Sequence, residues 1–222
     1  MKLLLHTCCA PCSVYCIKSL RAQGIEPTLY WYNPNIHPYE EYKARRDCLK
    51  EYAKVAGVEL ILDDAYGLDE FCKKVIDNLS ARCEDYCYPT RLRHTFDYAK
   101  ANGFEAVSTT LLYSIYQKHD FIDELMYALG RETGVNYLYC DFRTGWQEGQ
   151  DEARALGLYM QKYCGCVFSE EESGFGRELS RKMKKEGISP TNANVRQFLE
   201  ESKTTDGFIS PTAVSDLLDA ID

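Results

Sequence analysis

Two adjacent cysteines, set between an apolar run and an amphipathic one, constrain this chain more than any other feature. Leu3-Leu4-Leu5-His6 leads into Thr7-Cys8-Cys9-Ala10-Pro11-Cys12, and the amphipathic stretch Ser13 to Ala22 follows. Pro11 suits a first helical turn, because the N–H that proline lacks would be unpaired there anyway. Gly24 suits the helix end. The spacing predicts strand, tight loop and helix, with Cys8 and Cys9 at the carboxyl end of the strand, which is where open α/β sheets bind ligands. Neighbouring side chains cannot both enter one core, and vicinal thiols are readily oxidised or metallated. Cys8 and Cys9 therefore read as chemical rather than packing residues.

The rest of the chain extends that unit. Strands are predicted over 27–32, 58–62, 105–109 and 137–140, and helices over 37–56, 68–78, 89–102 and 121–132. Alternation at this spacing gives a mostly parallel five-stranded sheet covered by helices on both faces. From about residue 170 the pattern is polar and helical with no strand candidate. The expected organisation is an α/β domain over 1–169 and a helical appendage over 170–222.

Among 222 residues, 11 cysteines are the outlying number, and an odd count suits a disulfide framework poorly. The N-terminal run is too short for a signal peptide and no small-residue cleavage site follows it. No apolar stretch approaches the roughly 20 residues that span a bilayer. The expected location is the cytoplasm, where clustered cysteines mean metal or redox chemistry more often than stapling. Three clusters stand out: Cys8-Cys9, Cys83 with Cys87 in a predicted loop, and Cys164-Gly165-Cys166. Two close pairs supply the four thiolates of a zinc site or an iron–sulfur cluster. The Cys-Gly-Cys element suits either a readily reduced disulfide or a narrow bite on a metal. Cys16, Cys48, Cys72 and Cys140 read as packing residues, and Cys12, at the helix start, reads first as structural.

No glycine-rich phosphate loop follows the first strand, which argues against nucleotide hydrolysis there. A formal charge of −8 excludes a generic polyanion binder but not a local patch. The richest such patch is Arg177, Arg181, Lys182, Lys184 and Lys185. Tyr113, Tyr116 and Tyr163 are candidates for base stacking. His6, His37, His94 and His119 are scattered, and none is a ligand by default.

At these residues the sequence resembles the QueH-type epoxyqueuosine reductases. The resemblance rests on Leu3 to Cys12, Arg82-Cys83 to Arg91-Leu92, Thr109 to Leu112 with Gln117, Asp141-Phe142-Arg143, and Gln161 to Cys166. It implies a HUP-like, that is Rossmann-like, fold, and reduction of epoxyqueuosine to queuosine at the wobble position of tRNA. It also implies a 4Fe-4S cluster with an additional iron nearby and a redox-active cysteine pair. By position, Cys8, Cys9, Cys83 and Cys87 become the cluster ligands, and Cys164 with Cys166 the redox pair or ligands of the second metal. The family spaces its middle pair Cys-x-x-Cys, whereas three residues separate Cys83 from Cys87 here, which brings Asp85 forward as a metal ligand. Asp141 is the candidate proton donor, and Arg91 and Arg143 are candidates to hold a phosphate or orient a carboxylate. The expected partners are a tRNA carrying epoxyqueuosine in its anticodon loop and an unidentified electron donor, with no membrane. Two other readings stay open: a zinc-stabilised RNA-binding module and a thiol–disulfide reductase.

Overall fold

A computed structural model describes residues 1–185 and 187. Two compact units make up the chain, Met1–Gln161 and a second beginning at Lys162. In the first, β1 (Leu3–His6), β2 (Pro27–Trp31), β3 (Leu60–Leu62), β4 (Ala106–Thr109) and β5 (Asn136–Tyr137) form one sheet in the order β3-β2-β1-β4-β5. Every pairing is parallel. The fold is a Rossmann-like α/β fold with helices on both faces. All residues of β1, β2 and β4 are buried, as expected of parallel strands covered on two sides.

The connecting helices are α1 (Ala10–Ala22), α2 (Tyr39–Ala56), α3 (Leu68–Val75), α4 (Tyr88–Ala101) and α5 (His119–Thr133). The chain winds outward from β1 to β2 and β3, then returns to the other side of β1 to lay down β4 and β5. That reversal puts the switch point between the carboxyl ends of β1 and β4, the place where such sheets bind ligands. His6 pairs with Tyr30 on one side and Thr109 on the other, so three strand ends finish level beside Cys8.

Three departures from the sequence reading have physical causes. The strand predicted over 137–140 is only Asn136–Tyr137. After Leu138 donates its N–H to the Val107 carbonyl, the neighbouring strand β4 soon ends and the ladder stops. Cys83–Cys87 is a π-helical turn running directly into α4 rather than a loop. A further helix, α6 (Trp146–Ala155), carries Gly149 and has no side-chain cap, so its sequence signal is weak. In the second unit α7 (Val167–Lys185) is helical. Arg177, Arg181, Lys184 and Lys185 are exposed on it, while the side chain of Lys182 and the chain from 188 lie outside the described residues. No helix among the described residues is long and apolar enough to cross a membrane.

Helix α6 locks against α1 through its glycine. A Cβ on Gly149 would stand 2.9 Å from Tyr15 Cβ and 2.6 Å from the Tyr113 hydroxyl. Neither neighbour can yield: the first is fixed to the α1 backbone, and the second donates to the Trp146 carbonyl at 2.7 Å. Helix propensity alone makes Gly149→Ala stabilising by about 1 kcal/mol. The overpacking cost of about 1–3 kcal/mol opposes it, so the variant is expected to unfold at lower urea than the parent. A higher midpoint would show that the two helices are not in this contact.

Candidate metal centre

The loop after β1 is fixed by backbone bonds before any thiol is considered. Thr7 N–H donates to the Tyr30 carbonyl at 2.9 Å, and the buried Asn33 amide donates to the Thr7 carbonyl at 2.9 Å. From the β4 side, Cys8 N–H donates to the Thr110 hydroxyl at 3.2 Å, and that hydroxyl donates to Cys8 Sγ at 3.5 Å. His6 bridges the two sides, with Nδ1 2.9 Å from Thr109 Oγ1 and Nε2 3.4 Å from the Tyr32 carbonyl. Burial and the Arg91 guanidinium drive its pKa down to about 3, so the ring is neutral.

Held this way, the loop brings three thiols together. The Sγ atoms of Cys8, Cys9 and Cys12 all lie within 4.8 Å of one another, with Cys8 and Cys9 3.8 Å apart. Cys9 is the N-cap of α1, in extended conformation, and Cys12 is the third helical residue. That is the capping-box spacing, at which each side chain comes within reach of the other residue's backbone N–H. It is the sequence signal that places Cys12 in the site, where the sequence reading treated it first as structural. Gln161 Nε2 donates to Cys12 Sγ at 3.6 Å and closes the far side.

The three thiols differ in acidity. Hydrogen bonds from Cys12 and Cys9 bring the Cys8 thiol well below its ordinary value against the cost of burial, and the Thr110 hydroxyl adds to the effect. Burial pushes Cys9 well up, and its contact with the Cys8 sulfur, with burial behind it, does the same for Cys12. Cys8 is thus the first of the three to ionise.

The other expected site residues lie elsewhere. Cys83 and Cys87 face each other along their π-helical turn. A hydrogen bond from Cys87 brings Cys83 down to about 7 against burial, helped by Arg82 and Arg91. Arg91 is itself buried and donates to the Cys87 carbonyl at 2.8 Å. Asp85 points outward and accepts from the Asn78 amide at 3.0 Å. Asp141 accepts two hydrogen bonds from the Arg143 guanidinium, at 2.9 and 2.8 Å, and one from the Arg143 N–H. These bonds hold it down to about 2, so near neutral pH it is an acceptor rather than a proton donor. Tyr113 is fully buried and cannot stack on a base, whereas Tyr116 is 76% exposed. In the second unit Cys164 is exposed and Cys166 buried, and Ser169 N–H donates to Cys166 Sγ at 3.4 Å.

This geometry corrects the cofactor expectation. A 4Fe-4S cluster needs four thiolates, and the expected set of Cys8, Cys9, Cys83 and Cys87 is not assembled. Among the described residues, the one group of three or more converging Cys, His, Asp or Glu ligand atoms is Cys8, Cys9 and Cys12. Thiolates on a tetrahedral ion with bonds of about 2.3 Å are about 3.8 Å apart, which is the Cys8–Cys9 separation. Three protein sulfurs suit a single metal ion such as zinc, not a four-iron cluster with a further iron beside it.

Comparison with known proteins adds to the geometry. Residues 3–172 match the sequence model of a family described as epoxyqueuosine reductase QueH. The chain is 41% identical over 179 residues to the epoxyqueuosine reductase QueH of Dehalococcoides mccartyi, covering 81% of this chain and 97% of that one. It is 34% identical over 190 residues to the protein of that name from Thermotoga maritima, covering 81% and 96%.

The acidity order has a direct readout. With iodoacetamide at pH 7 and mass mapping of the metal-free protein, Cys8 is expected to be alkylated before Cys9 and Cys12. Equal or reversed order within the trio sinks the assignment.

Proposed function

The chain belongs to the QueH family of epoxyqueuosine reductases, and on that premise we propose that it reduces the epoxide of epoxyqueuosine, at the wobble position of tRNA, to the alkene of queuosine. The observation that carries this reading, beyond family membership, is the three-thiol group at the switch point of the sheet. Structural zinc sites use four protein ligands, whereas three protein ligands leave a position open for substrate. A thiophilic ion bound there supplies Lewis acidity toward the epoxide oxygen.

The remaining chemistry falls to the chain's own groups. Conversion of an epoxide to an alkene and water consumes two electrons and two protons. Oxidation of the Cys164 and Cys166 thiols to a disulfide releases two of each, so one turnover balances. An external dithiol or protein donor then reduces the disulfide. Asp141, held ionised by Arg143, accepts a hydrogen bond from a substrate hydroxyl rather than giving up a proton. Thr110, placed against Cys8, orients the sulfur that ionises first. Tyr116 offers an exposed ring to an anticodon base.

A thiol group that suits a single ion, with no four-thiolate cluster set among the described residues, also supports a second reading, in which the chain is a zinc-stabilised RNA-binding module. One set of measurements separates the two: metal and sulfide content per chain, and turnover of epoxyqueuosine-containing tRNA with a dithiol reductant. The expected result is about one thiophilic ion per chain without sulfide, lost in Cys12→Ser, with turnover in the parent. Cys164→Ser is expected to keep the ion and lose activity by orders of magnitude. Tight tRNA binding without turnover in the metal-loaded parent supports the module instead. Four irons with matching sulfide would falsify the single-ion site.

A further inference from the structure

At the start of α5 lies a buried polar atom that no contact in the protein uses. His119, the first residue of that helix, is 8% exposed, and its Nε2 has no hydrogen-bond partner among the described residues. The atom faces Asp141, with 4.0 Å between Nε2 and Oδ1, a separation too long for a hydrogen bond. The Tyr139 ring packs edge-on against the imidazole at 5.9 Å and bounds it on another side. Arg143 steadies Asp141 and fills three of the roughly four acceptor positions of a carboxylate. One position remains. The Asp141 side chain is 34% exposed, so the place between the two residues can be reached from solvent.

The segment that carries His119 is braced by both cysteine groups. It starts at Thr110, which is bonded to Cys8 through N–H and sulfur. It ends against Tyr88, the residue after Cys87, whose hydroxyl donates to Gln117 Oε1 at 2.9 Å and accepts from Lys118 N–H at 3.4 Å. Lys118 also pairs with Glu84, inside the Cys83–Cys87 turn.

Two groups at this separation are bridged by a single oxygen about 2.8 Å from each. That oxygen has to accept from the imidazole N–H and donate to the carboxylate. A hydroxyl does both. An epoxide, ether or carbonyl oxygen has no proton to give, and an ammonium has no lone pair to offer the imidazole. Water meets both demands as well, and a hydroxyl that displaces it reproduces its hydrogen bonds.

We propose that His119 and Asp141 form a slot for a hydroxyl of the modified nucleotide and, by refusing the epoxide oxygen, fix which way round that nucleotide enters. The inference rests on the epoxyqueuosine reading. It adds to it the residue that shares the hydroxyl with Asp141 and the reason a hydroxyl is selected. Two sources carry that chemistry, the hydroxyl pair on the cyclopentane ring of epoxyqueuosine and the ribose 2′-hydroxyl.

The test measures binding of the anaerobically isolated full chain to two tRNAs. One carries epoxyqueuosine; the other carries an aminomethyl-7-deazaguanine in its place, which keeps the ribose and lacks the ring. His119→Leu, which removes the N–H, is expected to lose about 10–100-fold in affinity for the first tRNA and nothing for the second. His119→Gln, which returns an amide N–H near the position of Nε2, restores most of the loss. Asp141→Ala, at the solvent-exposed side, shows the same selective loss and stands in for His119→Leu should that variant not fold. Equal loss on both tRNAs, again restored by His119→Gln, assigns the slot to the ribose hydroxyl. Parent-like binding of the first tRNA by His119→Leu or Asp141→Ala overturns the inference, as does a loss that His119→Gln leaves in place. Turnover by the parent keeps these results separate from the reading beneath them: a parent that neither turns over epoxyqueuosine nor prefers its tRNA overturns both.

Discussion

The hydrogen bond from the Asn33 side chain to the Thr7 carbonyl fixes the point from which the site is built. β1 ends at His6, and a residue past the end of a parallel strand has no ladder to hold it. Here the Tyr30 carbonyl takes the Thr7 N–H and Asn33 takes up its carbonyl. The residue between strand and thiols is therefore as fixed as the strand itself. Cys8 starts from a rigid position and meets Thr110, Cys9 caps α1, and Cys12 follows one turn into the helix. The burial of β1 on both faces makes this possible, since the strand itself cannot shift without opening the core.

Much of the fold was legible because its signals are local. An apolar run, a proline and a closing glycine mark β1 and α1, and the alternation of such units implies a parallel sheet. The weaker elements failed where the signal is not local. β5 is short because its neighbour ends, which no property of residues 137–140 reveals. α6 is defined by the close approach of Gly149 to α1, and a glycine in a polar stretch argues against a helix until its partner is known.

The site was legible in its residues and less so in its grouping. Cys8 and Cys9 stood out from adjacency alone. Pairing them with Cys83 and Cys87 followed from the family resemblance, and a match of sequence positions carries no distances. The nearer partner, Cys12, was visible as the third residue after a helix cap.

The electrostatics that prepare these sulfurs also expose them to attack. Cys83 is drawn to about 7, and Cys8 well below the ordinary thiol range by its cysteine neighbours. Peroxide oxidises the thiolate, not the thiol, and takes it first to a sulfenic acid. Each of these cysteines has a second thiol beside it, Cys87 for Cys83 and Cys9 for Cys8. A sulfenic acid with a neighbouring thiol condenses to a disulfide, a reversible product, before it advances to the irreversible acids. The paired arrangement that makes the chain sensitive to oxygen thus also keeps the first stage of damage repairable by an ordinary thiol.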